Sequence, residues 1–489
     1  MGEILGHLKP SLLWNHFEEI CKRPHPSRKE EKVAEYVISI AKKNGLKYKK
    51  DDFGNIVITK NATPGKENLI PVVLQGHLDM VAEKNADVQH DFEKDPIQPY
   101  VDGDWVKAKG TTLGSDNGIG VAAALAVLES NDIEHGPLEA LFTLDEETGL
   151  NGAQALKPNF LNAKILINLD SEEDGDLYIG CAGGQTTTAK FVFKPSEIPA
   201  NTTALEIKIT GLKGGHSGLD INTGRGNAIK LMARLLHELN YKFGIRLVTL
   251  NGGSKHNAIP RECFAIIRVP KKILNNVVGY IENYNNIVRS ELSTVEPNLN
   301  VTATEIKNRS KVMDKTTAIN LINSLYGIQN GVIKMSADIE GLVETSSNLA
   351  VVTTKGKTVE IITSQRSSVE TEKHDISNAI SSVFNLAKAE VHQKDSYPGW
   401  KPDVNSQILQ IMKNVYKNLY GNEPHVKAIH AGLECGIIKE KFPEMDMISF
   451  GPTIIGAHSP DERVQISTVE KFWNTLVNVL KNIPEQSTV

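Results

Sequence analysis

Only four of the 489 residues are cysteine, and Cys21, Cys181, Cys263 and Cys435 form no C-x-x-C pair. That scarcity excludes a disulfide framework and reads as buried thiols in a reducing compartment. No apolar run approaches the ~18 residues of a membrane span. The opening MGEILGHLKPSLLW carries Glu3, His7 and Lys9 and lacks the apolar centre of a signal peptide. Gly2 does not make a myristoylation signal, because Gly6 stands where that motif needs Ser or Thr. Positive charge is not in excess either. The formal net charge is -5, which leaves no global footprint for nucleic acid or an anionic membrane surface. These absences predict a cytoplasmic soluble protein that binds neither nucleic acid nor membrane. With 40% hydrophobic and 23% charged residues, the composition is that of a globular chain long enough for two or three domains.

What the chain does have is alternation. Ser27-Arg-Lys-Glu30 reads as a capping box opening the helix EEKVAEYVISIAKKNG, which Gly45 ends. Strands follow at NIVITK and LIPVVLQ, then an Ala-rich helix GIGVAAALAVLES after Asp116, then strands EALFTL and KILINLD. Apolar strands alternating with helices predict an α/β domain: a mixed, mostly parallel sheet sandwiched by helices. From about residue 186 the texture changes to half-exposed strands (TALEIKIT, IRLVTL, CFAIIRV) around the helix NAIKLMARLLHEL. A similar succession returns after TTAINLINSLYG. These segments read as an inserted α+β lid of two loosely repeated halves, and SYPGWKP marks the return. The expected division is a first domain of residues 1–185 and 398–489 and an inserted lid and dimerisation domain of residues 186–397.

Ligands of such sheets sit at the carboxyl ends of the strands, and polar clusters recur there. In PVVLQGHLDMV a buried strand ends on His77 and Asp79, two residues apart and therefore on one face. GSDNGIG brings Asp116, LDEETG brings Glu146 and Glu147, NLDSEE brings Asp170, and GAHSPDE brings His458. A single strand-end Asp or His is usually a cap. Gly114, Gly118 and Gly120 suggest a phosphate loop, but Asp116 would repel phosphate and no Walker Lys-Ser/Thr follows. Nor is G-x-x-x-G-x-G a dinucleotide fingerprint. Glu172, Glu173 and Asp174 are read as solvated surface charge. Taken together, two imidazoles and several carboxylates are a donor set for a pair of divalent metals. Asp116, Glu147 and Asp170 bring three negative charges; against two divalent ions this leaves plus one, which a bridging hydroxide neutralises. A single metal would leave buried carboxylate unbalanced. Imidazole with carboxylate favours zinc, with cobalt or manganese as the alternatives.

The order H-x-D, G-x-D, E-E, D and a distant H resembles the di-zinc exopeptidases, which include carnosinases, aminoacylases and glutamate carboxypeptidases. The wording GHLDMV, LDEETGLNGA, NLDSEE, GCAGG and HAGLECG is similar to the aminoacyl-histidine (Xaa-His) dipeptidase branch, along essentially the whole chain. The resemblance implies a zinc-exopeptidase-like catalytic domain. In it Asp116 bridges two metals, His77 and Asp170 complete one site, and Glu147 and His458 complete the other. It implies that Asp79 orients the His77 imidazole. Glu146, as general base, takes a proton from a metal-bridging water and later passes it to the leaving amine. It further implies a cis peptide at Asp116–Asn117, a lid His216 that stabilises the oxyanion, often across a homodimer, and an Asn257 that contacts the substrate carboxylate. Arg225 is a further candidate carboxylate clamp. Glu434 is left between a structural role and contact with a substrate ammonium.

The expected function is therefore metal-dependent hydrolysis of unblocked dipeptides, Xaa-His (carnosine-type included) and a broader set. Two alternatives stand beside it. One is an aminoacylase or amidohydrolase acting on N-acylated amino acids. The other is a catalytically silent metal- or peptide-binding protein, which a missing ligand or a missing Glu146 would favour.

Overall fold

The computed structural model describes residues 4–486; Gly2 and Glu3, read above, lie outside the described residues. The chain forms two compact units. Unit 1 comprises Met1–Cys181, Trp400–Ala428 and Leu433–Val489, and unit 2 comprises Ala182–Gly399 and Ile429–Gly432. No sequence signal marks the return of residues 429–432 to unit 2. Its cause is backbone pairing, since the Ala182 N–H donates to the carbonyls of Ile429 and Ala431.

Unit 1 is built on an eight-stranded sheet. Strands β1 (Lys47–Lys50), β2 (Ile56–Lys60) and β3 (Val72–His77) belong to it. Its order is β1, β2, Leu138–Thr143, β3, Ile165–Asn168, Asp446–Ser449, Asp176–Cys181, His425–Ile429. The middle is parallel: β3 runs with Leu138–Thr143 and with Ile165–Asn168, and the latter runs with Asp446–Ser449. Antiparallel neighbours flank it. The sheet is thus mixed with a parallel centre, as expected, and β3, Leu138–Thr143 and Ile165–Asn168 are buried along their whole length, as a sheet covered on both faces requires.

Helix α1 (Ser11–Cys21) packs on α3 (Ser115–Glu129), and α2 (Glu31–Lys43) reaches α3 as well. From Asn117 to Leu128 every residue of α3 is buried, which is why that segment is apolar all round. Its first turn lies so close to the strand ends that two glycines are obligatory. A Cβ on Gly120 would stand 2.5 Å from the Leu169 carbonyl oxygen, and one on Gly76 would stand 2.3 Å from Asn117 Oδ1.

The capping box is not used as such. Helix α2 starts one residue after Glu30 with no side-chain cap. The Ser27 hydroxyl donates instead to Asp79, and Glu30 accepts the N–H groups of Arg28 and Asp145. Local spacing was overridden by tertiary partners. Gly45, by contrast, takes the left-handed conformation (φ 65°) just beyond the end of α2.

Unit 2 is a nine-stranded antiparallel sheet with four helices, Ala228–Phe243, Leu274–Glu291, Lys315–Gly327 and Glu370–Leu386. Burial alternates along Cys263–Pro270 and Thr202–Thr210, so one face is apolar, and the helices close over it in a single hydrophobic cluster.

Candidate active site

Strand β3 delivers His77, fully buried, to the carboxyl end of the sheet. Asp116 arrives from the first turn of α3, where its φ/ψ of −81°/107° is not helical and the Asp116–Asn117 peptide is cis. Asp170 follows strand Ile165–Asn168, and Glu146 and Glu147 follow Leu138–Thr143. His458 comes from the loop between strands Ile454–Ile455 and Arg463–Gln465 and is itself left-handed (φ 62°).

These side chains converge. His77 Nε2 lies 3.1 Å from Asp116 Oδ1 and 3.4 Å from Asp170 Oδ1. His458 Nε2 lies 3.1 Å from Asp116 Oδ2 and 3.0 Å from Glu147 Oε1. Asp116 therefore turns one oxygen to each of two triads, and the donor atoms within each triad stand within 4.8 Å of one another.

The electrostatics of this cluster demand positive charge. Burial alone would lower the His77 pKa, but Asp170 and Asp116 outweigh it and hold the imidazole well above its usual range. Hydrogen bonding to Asp116 and Glu147 pushes His458 up to about 11. Asp170, by burial, is raised to about 6. Hard carboxylate oxygens and imidazole nitrogens, crowded and short of cations, are the donor chemistry of divalent zinc, cobalt or manganese.

Asp79 faces the His77 ring, as the resemblance implies, and has further partners besides. The His77 Nδ1–H points at the Asp79 backbone carbonyl (3.0 Å), and the carboxylate is further away at 3.4 Å. That carboxylate accepts the N–H of Glu146 (2.9 Å), the N–H of Glu147 (3.1 Å) and the Ser27 hydroxyl (2.7 Å). Its pKa falls to about 2: burial opposes, and His77 and these donors prevail. Asp79 holds the Glu146–Glu147 turn, and both its main-chain carbonyl and its carboxylate face the His77 ring.

A sequence model of peptidase family M20/M25/M40 matches residues 73–482. The chain belongs to that family. It is 46% identical over 480 residues to the cytosol non-specific dipeptidase of Escherichia coli (strain K12), spanning 98% of this chain and 99% of the relative. The crystal structure of aminoacylhistidine dipeptidase from Vibrio alginolyticus matches at a TM-score of 0.95 and 45% identity, covering 99% of both chains. Aminopeptidase PepT from Bacillus cereus shares the fold at a TM-score of 0.58 and 15% identity, over 98% of this chain and all of that one. The family resemblance carried by the strand-end motifs agrees with this membership.

Several polar residues of this M20/M25/M40 peptidase have roles that sequence spacing did not signal. Glu462 is buried and accepts the N–H groups of Leu113 (2.7 Å), Gly114 (3.0 Å), Ser115 (2.7 Å) and Asp116 (3.3 Å), together with the Ser115 hydroxyl (2.6 Å). The glycine-bearing loop does cradle an anion, but the anion is the protein's own. Glu434 is buried too. Its Oε2 accepts Gln75 Nε2 (2.6 Å) and the Thr143 hydroxyl (2.7 Å), and its Oε1 has no hydrogen-bond partner. Burial raises Glu434 to about 7, with Asp170 adding to the rise and His77 opposing it. Glu172 is not a solvated charge: burial, then Asp116 and Asp170, raise it to about 8. Glu173 and Asp174 do behave as surface charge, paired with Lys427 and Lys471.

Unit 2 holds its own cluster. His216 Nδ1 accepts the N–H groups of Gly218 (3.2 Å) and Leu219 (3.1 Å), which places the ring proton of the neutral imidazole on Nε2. Arg225 is already engaged. It pairs with Asp220 (2.8 Å), whose other oxygen accepts the His216 N–H (2.8 Å), so it braces the His216 loop. Asn257 is exposed, and its carbonyl accepts the Ser217 N–H. The residue that the sequence reading missed is Arg366. It is only 7% exposed, with Nε buried and unpartnered and a terminal nitrogen on the Tyr397 hydroxyl (3.0 Å). Burial, with Arg366 adding to it, keeps the neighbouring His430 neutral down to about 3.

Proposed function

We propose that this chain is a metal-dependent dipeptidase that hydrolyses the peptide bond of unblocked dipeptides, Xaa-His among a broader set, in the cytoplasm and as a homodimer. The observation that carries the reading is Asp116, whose two oxygens are divided between His77 and His458. Full-length likeness to dipeptidases, one of them described as cytosolic, supports the substrate class and the compartment.

His77, Asp116 and Asp170 would hold one divalent ion, and Asp116, Glu147 and His458 the other, zinc being the first choice from the donor set. When bound, such ions polarise a carbonyl and lower the pKa of water. The chain's own residues do the rest. Glu146, on the turn that Asp79 fixes, is the general base that takes the proton of the attacking water and returns it to the leaving nitrogen. Burial, against His77 and together with Asp170, Glu434 and Glu147, holds its pKa well above the usual carboxylate range. Glu434 Oε1 is an unused buried acceptor suited to the free ammonium of an unblocked substrate. That favours a dipeptidase over an aminoacylase, whose acylated substrate carries no such charge. In unit 2, the His216 Nε2–H is a candidate oxyanion donor, and Arg366 is a better candidate receptor for a carboxylate than Arg225 or Asn257.

The test is hydrolysis of carnosine, Ala-His, Gly-Gly, a tripeptide and N-acetyl-Ala-His by metal-stripped protein and by protein given back zinc, cobalt or manganese. Metal-dependent cleavage confined to the free dipeptides supports the reading. Preference for the acetylated compound replaces it with an aminoacylase, and two bound metals without any cleavage replace it with a binding protein.

A further inference from the structure

Glu462 stands out as a buried carboxylate placed beside a cluster already rich in carboxylates. A like charge there costs energy, and burial adds to the cost. Something must offset that cost. The compensation is local: four consecutive N–H groups, of residues 113 to 116, and the Ser115 hydroxyl all converge on this one side chain. Gly114, left-handed at φ 72°, bends the chain so that those N–H groups point inward, at the N-terminus of α3.

The sequence position of Glu462 gives the contact its meaning. It closes the same short loop that presents His458, four residues earlier, while the amides it grips lead directly into Asp116. We infer that Glu462 is a positioning residue: one carboxylate clamps the turn of Asp116 to the loop of His458 and so sets the separation of two ligands that are distant in sequence. The inference rests on the two-metal reading above and concerns one half of it. The triad of Asp116, Glu147 and His458 depends on the clamp for two of its three members. The triad of His77, Asp116 and Asp170 depends on it for one.

The experiment is titration of metal-free protein with cobalt, followed by visible absorption and by calorimetry, for wild type and Glu462→Gln. Glu139→Gln is the control. Glu139 is another buried carboxylate that accepts backbone N–H groups, those of Asn162 and Ala163, and it belongs to neither triad. In Glu462→Gln the first equivalent is expected to bind nearly as in wild type and the second about 10–100-fold more weakly, the usual effect of removing a group that orients a ligand. Glu139→Gln should bind both equivalents as wild type does. Equal wild-type affinity for both equivalents in a folded Glu462→Gln protein overturns the inference, and so does equal weakening in the control. Should Glu462→Gln not fold, Ser115→Ala removes one contact and leaves the charge; it is expected to weaken the second equivalent a few-fold, and no change there overturns the clamp. If wild type itself binds no metal, the two-metal reading fails, which is a different result.

Discussion

The Asp79 carboxylate accepts the Glu146 N–H at 2.9 Å, closer than it comes to the imidazole of His77. A carboxylate expected to orient a metal ligand also orders the turn that carries Glu146, the proposed base. Asp79→Asn keeps the shape but loses the charge that binds two N–H groups and a hydroxyl. It is expected to lower kcat about 10–100-fold while leaving the bound metal close to two per chain. Elemental analysis beside steady-state kinetics checks this; loss of metal in step with activity would return Asp79 to the role of ring-orienting partner.

Glu146→Ala removes the proposed general base and no atom of the two triads that share Asp116. Turnover of Ala-His should fall by about 10²–10⁴-fold, the range for a positioned proton-transfer group. Metal content and KM should change little. Full activity in this variant would assign the proton transfer elsewhere.

Arg366→Ala should act on substrate recognition. A charge-assisted hydrogen bond contributes about 1.5–3 kcal/mol, so KM for a free dipeptide is expected to rise about 10–100-fold. A dipeptide C-terminal amide, which lacks the carboxylate, should be almost insensitive. The ratio of the two specificity constants, measured in both proteins, reads this directly.

Far from the cluster, His16 is buried, 2.7 Å from the Tyr36 hydroxyl and 3.2 Å from Glu129. Burial lowers its pKa to about 4, and Lys43 adds to this against the pull of Glu129. The unfolded chain takes up a proton near pH 6.5 and the folded chain only near 4, so stability falls as pH drops through that window. The loss approaches about 3 kcal/mol by pH 4. Urea unfolding of metal-free protein between pH 7 and 4 should show the decline, and His16→Gln should flatten it.

The parallel centre of the sheet and the ends of its strands were legible in the sequence because buried strands are written as apolar runs and a run that stops on His or Asp stops at a site. His77, Glu147 and Asp170 could be picked out for that reason, Asp116 and His458 only through the resemblance of the whole motif order, and the fold gathers all five. Glu462 and Arg366 could not. Their significance lies in partners that no local pattern encodes: amides some 350 positions away for Glu462, and for Arg366 the lack of a partner on a buried Nε. Ser27 and Glu30 show the converse, a correct local motif whose side chains were claimed by Asp79 and Asp145. Arg225 was singled out for its guanidinium, which is committed to Asp220.

The loop that presents His458 follows the whole of unit 2 in the chain, whereas His77, Asp116, Glu147 and Asp170 all precede it. During synthesis, four of the five candidate ligands therefore leave the ribosome long before the fifth. A nascent chain can fold its first strands and still lack one triad. On the two-metal reading, hydrolytic competence is a late event, reached only after unit 2 has been made, and chains that stop short of His458 are expected to be inert.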